Sequence, residues 1–185
     1  MTPHSSARRI TLCAVCIALC YVLPLAFHTV GLGSMLSPMH IPVLLCGLVC
    51  GGGYGLICGI AGPLLSSLLS GMPGPMGLMT MVPELAVYGL SAGIFMKLIR
   101  TRNNCADIYI TLIIAMVFGR IAGGIAQVIV IKAMVLDIVF NLFIWINSYF
   151  IGTLPGIVCH LILIPLLVLT LTKAKVIPSR YPQTV

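Results

Sequence analysis

From Ile10 to Phe27 no charged side chain interrupts the chain, and apolar runs of similar character recur as far as Thr172. Such runs need a solvent other than water. Hydrophobic residues make up 60% of the 185 residues and charged ones only 7%, where a soluble domain carries roughly a quarter charged residues. Too few polar groups exist to cover a core this apolar, and lipid is the environment that fits. At roughly 20 apolar residues per crossing, the length accommodates about six spans with short loops. The expected architecture is all-α: one polytopic membrane domain over residues 1–185, with six transmembrane helices. Their approximate ranges are 10–27, 41–50, 54–69, 78–98, 108–131 and 147–172. The first run has no small-residue cleavage site followed by a soluble domain, and reads as a retained helix rather than a signal peptide.

The formal net charge of +7 is less informative than its placement. Arg8 and Arg9, then Lys97, Arg100 and Arg102, then Lys173, Lys175 and Arg180 fall in three places. These are the amino terminus, one central loop and the carboxyl terminus. Loops rich in Lys and Arg face the cytoplasm. Six spans put all three clusters on that side, with both termini cytoplasmic, whereas an odd number would send one cluster outside. The pattern therefore supports the short second span, 41–50. The outer loops are then 28–40, 70–77 and 132–146. No basic stripe with interleaved aromatics is present, which argues against a nucleic-acid partner.

Eight cysteines are present, seven of them in apolar segments. Cys13 and Cys16 have CxxC spacing but no His or acidic neighbour, so the cysteines read as small buried hydrophobes and no metal is expected. Small residues recur every fourth position at Gly51, Gly55 and Gly59, at Gly89 and Gly93, at Ala115, Gly119 and Gly123, and at Gly152 and Gly156. In lipid such rows let helices approach closely, and packing alone accounts for most of them.

Charged groups within the spans are few. A charge at the bilayer centre costs about 2.5–3.5 kcal/mol on insertion scales, so each one asks for a reason. Glu84 lies about six residues inside span four, roughly 9 Å deep at about 1.5 Å per residue. Arg120 lies roughly 18 Å from the inner end of span five, or about 12 Å below the outer face. The two opposite charges thus fall at similar depth in the outer half. Either they pair to hold the bundle, or they line an outward-opening pocket that binds a solute. Tyr88 shares the face of Glu84 at i+4, and Gln127 that of Arg120 at i+7. Asn147 begins span six, and His40 and Asn141 fall in outer loops able to cover a pocket. These seven residues form the candidate site. His160, flanked by Pro155 and Pro165, is expected instead to bond a freed backbone carbonyl.

No phosphate loop, HExxH, GxSxG or paired catalytic acids appear, so no enzymatic activity and no cofactor are expected. Gly51–Gly55 lacks the Lys-Ser/Thr ending of a phosphate-binding loop.

The ordered set of local patterns resembles the substrate-binding S component of energy-coupling factor (ECF) vitamin transporters. Ala14-Val15-Cys16-Ile17-Ala18 is an AxxxA pattern. His40-Ile41-Pro42-Val43-Leu44-Leu45-Cys46-Gly47 follows, then Gly55 and Gly62-Pro63-Leu64-Leu65-Ser66. Glu84-Leu85-Ala86 with Tyr88-Gly89 continues the likeness, which covers about residues 8–172. The resemblance implies an S component in the bacterial plasma membrane that binds a vitamin or related micronutrient on the outer side. It implies association with an ECF module, made of a transmembrane scaffold subunit and two cytoplasmic ATPases, through Ala14 and Ala18. It further implies that residues 28–40 and 70–77 cover the ligand and that the subunit topples to deliver it. Arg120 suggests an acid such as pantothenate, with a modified nucleobase or another vitamin as alternatives. An aromatic content of 7% weighs against a large stacked flavin. A ligand-free scaffold or assembly protein is the competing reading, and a lipid-modifying enzyme a third.

Overall fold

The computed structural model describes residues 6–29, 37–134, 143, 147, 153–174 and 176–177. Six helices account for nearly all of them: α1 (Ser6–Thr29), α2 (His40–Cys50), α3 (Gly52–Ser70), α4 (Pro75–Leu98), α5 (Asn104–Met134) and α6 (Leu154–Lys173). No strand occurs among the described residues. Five of the helices are long and apolar enough to cross a membrane. The stretch expected as the second span forms helix α2, whose 11 residues extend only about 16 Å, half of a bilayer core of about 30 Å.

Helix ends differ from expectation by a few residues, mostly outward. The Gly-rich stretch breaks the chain at one point only. Gly51 has φ +100°, a backbone conformation closed to most side chains, while Gly52 and Gly53 are already helical. Gly51 therefore turns α2 into α3 without a loop. Between α3 and α4, Gly71 caps α3 in the left-handed region. The hydroxyls of Ser66 and Ser67 donate to the carbonyls of Met72 (2.8 Å) and Pro73 (2.9 Å), tying down the short turn. Span six was expected from Asn147; the helix described here begins at Leu154, and residues 148–152 lie outside the described set.

The short α2 is the hub of the bundle, in contact with α1, α3, α4 and α6. It can be surrounded because glycines remove the side chains that would hold the helices apart. A Cβ at Gly55 would collide with the Gly89 backbone, and a Cβ at Gly47 would meet the same carbonyl. Without a hydrophobic drive between helices in lipid, such backbone-close packing supplies the dispersion contacts that hold them together. Cys13, Cys16 and Cys20 of α1, Cys46 and Cys50 of α2 and Cys58 of α3 share this buried core. Cys105 is exposed and Cys159 half-buried.

α5 divides its surface cleanly. Ile113, Val117, Ile121, Ile125 and Ile129 recur every fourth residue and are exposed, as a lipid-facing stripe should be. Ala115, Gly119 and Gly123 lie on the opposite side and are buried. On α1, Ala14 and Ala18 are exposed while Cys13, Cys16 and Cys20 point inward. The loop before α5 is anchored by Asp107, fully buried, whose Oδ1 accepts from the Thr101 backbone N–H (2.8 Å) and hydroxyl (2.7 Å).

Candidate functional site

Four helices bring polar side chains to one buried point. Glu84 of α4 is 5% exposed, Arg120 of α5 5%, His40 of α2 4% and His160 of α6 1%, so all four are enclosed by the bundle. Glu84 Oε1 is the centre of the group. Arg120 Nη1 lies 3.6 Å from it and His40 Nε2 lies 3.5 Å from it. Both separations exceed a good hydrogen bond, so the three side chains are close neighbours rather than bonded partners.

Each member is positioned by its element. His40 was expected in an outer loop; instead it opens α2 and is enclosed by the bundle. Because α2 is only half a span long, its first residue falls inside the protein rather than at a surface. Ser37, with φ +42°, turns its carbonyl to accept from both the His40 backbone N–H (3.0 Å) and Nδ1 (3.1 Å). The ring is thus held from behind. Tyr88 packs edge-on against it, with centroids 5.1 Å apart and planes at 78°. His160 stacks on it at 5.6 Å and 22°.

Glu84 and Tyr88 lie one turn apart on α4 and both press on the small-residue row of α5. A Cβ at Gly119 would come within 2.7 Å of the Tyr88 ring, and one at Gly123 within 2.7 Å of Glu84 Oε2. These glycines were read from sequence as packing residues; they also make the space that the site side chains occupy. Their signal was legible, since they bracket Arg120 at i−1 and i+3, but the sequence does not show which α4 residues face them.

The structure therefore joins four of the seven candidates: Glu84, Arg120, Tyr88 and His40. Gln127 is half-buried, two turns beyond Arg120, and Asn147 is exposed. Neither makes a hydrogen bond or ion pair with the cluster among the described residues. Asn141 lies outside the described residues. His160, expected to serve a backbone carbonyl, is a face-on neighbour of His40.

Chemically, the cluster offers a guanidinium, a carboxylate, a phenol and two imidazoles within an apolar bundle. It can recognise a polar solute but contains no activated nucleophile. No group of His, Cys, Asp or Glu among the described residues is arranged to hold a metal ion.

A family model described as ECF transporter, substrate-specific component, matches residues 8–177. No curated protein and no solved structure matches the chain. The family match spans the bundle and every helix that contributes to the cluster, so the chain belongs to the substrate-specific components of ECF transporters.

Proposed function

We propose that this S component binds a water-soluble vitamin or related micronutrient at the Glu84–Arg120–His40 cluster. Members of the family are substrate-binding transporter subunits rather than enzymes. The observation that carries the site is Glu84 Oε1, buried and approached by Arg120 and His40 at 3.6 and 3.5 Å. A buried carboxylate and a buried guanidinium are costly to keep within a membrane bundle, which supports a role for the pair beyond packing. An acid bearing hydroxyl or amide donors suits it: its carboxylate takes Arg120, and its donors take Glu84. Pantothenate has that pattern and is the substrate we favour. Tyr88 and His160 supply ring surface for its apolar part. Gln127, two turns beyond Arg120 on α5, and the later Asn141 and Asn147 are proposed to border the entrance.

In this reading both termini are cytoplasmic and α2 completes a sixth crossing in the bacterial plasma membrane. Energy comes from partners: a membrane scaffold subunit and two cytoplasmic ATPases. Ala14 and Ala18, exposed on α1, leave a shallow groove suited to a close helix partner.

A ligand-free scaffold remains the second reading, favoured by the mutual neutralisation of Glu84 and Arg120. The deciding experiment is pantothenate binding to purified wild-type and Arg120→Ala protein in lipid nanodiscs. The binding reading expects a folded variant with affinity reduced more than tenfold. The scaffold reading expects no binding to either protein.

A further inference from the structure

The His40–Glu84 contact poses a proton problem. Nδ1 of His40 lies 3.1 Å from the Ser37 carbonyl oxygen, which can only accept, so Nδ1 carries a hydrogen. In a neutral imidazole Nε2 is then an acceptor. It faces Glu84 Oε1 at 3.5 Å, and an ionised carboxylate is an acceptor too. Both atoms are buried, and neither has a hydrogen-bond partner. Two lone pairs facing each other in a medium of low dielectric repel. One proton on the line between them removes the repulsion and satisfies both atoms.

We propose that His40 and Glu84 share a single proton, and that this makes the cluster a site for a monoanion. The charge follows wherever the proton rests. With an imidazolium beside a carboxylate, or a neutral imidazole beside a carboxylic acid, the pair has the same total. Arg120, His40 and Glu84 then carry one net positive charge between them, against none without the proton. A monoanion is the ligand that a buried net charge of that size matches. This deepens the nutrient-binding reading and rests on it for the ligand, though not for the proton.

The surroundings are consistent with such a pair. α4 brings Tyr88 against His40, α5 brings Arg120, and α6 stacks His160 on the ring. From α1 the Cys20 thiol donates to the Met39 carbonyl beside His40, and from α3 Cys58 contacts Cys20.

The test needs no ligand. Protein labelled with nitrogen-15 histidine is placed in nanodiscs at about pH 7, and His40 signals are assigned by their loss in His40→Gln. Infrared difference spectra against Glu84→Gln report a protonated carboxyl. An imidazolium at His40, or a carboxylic acid at Glu84, supports the proposal. A neutral His40 together with an ionised Glu84 overturns it, whichever ring nitrogen holds the hydrogen. Since neither readout involves substrate, that failure leaves nutrient binding intact. A protonated pair in a protein that binds no nutrient would instead remove the functional reading alone.

Discussion

Gly123 of α5 lies so close to Glu84 of α4 that a Cβ built on it would sit 2.7 Å from Oε2 and 2.8 Å from the carboxyl carbon. The absence of one methyl group is what lets a carboxylate occupy the interface between two membrane helices. Gly123→Ala should therefore displace Glu84 and cost about 1–3 kcal/mol of stability, the usual range for overpacking. Gly53→Ala is the matched control, because a Cβ there meets nothing within 4 Å. Thermal unfolding of the two variants in nanodiscs should separate them, with Gly53→Ala unchanged or slightly more stable.

Arg120 and Glu84 should be energetically coupled. Removing one partner of a buried ion pair typically costs about 3–5 kcal/mol, because the other charge is left uncompensated. A double-mutant cycle on Arg120→Ala and Glu84→Gln should show the double variant more stable than the sum of the singles predicts. Additive losses would mean that the 3.6 Å approach carries no interaction.

Topology is open to labelling. With both termini cytoplasmic, His4→Cys, Asn103→Cys and Arg180→Cys should resist impermeant thiol reagents applied from outside. Met35→Cys, Gly74→Cys and Asp137→Cys should react. The native Cys105 is exposed and lies beside the basic loop, so it serves as an internal reporter that should label only after the membrane is opened. Outside labelling of Asn103→Cys would refute the six-crossing arrangement.

The AxxxA face of α1 makes a separate prediction. Ala14→Trp with Ala18→Trp should fill the exposed groove without touching the cysteines on the inner face. Assembly with the ECF module and uptake should be lost, while ligand affinity stays within about twofold. Normal co-purification of the module with the double variant would move the docking face elsewhere.

The helical bundle was legible in the sequence because lipid leaves few alternatives: long apolar runs must close their backbone bonds internally. Gly51 marked a break, and Arg120 and Glu84 stood out because charges are rare in such runs. What stayed hidden was the consequence of an 11-residue helix. Counting spans treated 41–50 as a crossing, which put His40 in a loop, whereas the half-length α2 delivers it to the interior. His160 shows a related gap. Its flanking prolines suggested a local partner, while its ring neighbour His40 lies 120 residues earlier, and no local pattern encodes that meeting. The glycines at 119 and 123 were visible as a row, yet only the packing of α4 on α5 reveals that they shelter Tyr88 and Glu84.

The central claim is that the buried cluster holds a small nutrient. Mass spectrometry of small molecules extracted from purified protein tests it most directly, comparing wild type with Arg120→Ala and with Glu84→Gln. One polar compound is expected near stoichiometric in the wild type, charged as a monoanion at neutral pH, and at least tenfold depleted in both variants. A compound retained equally by all three proteins, or a wild type that carries none and binds none from a vitamin panel, would contradict it.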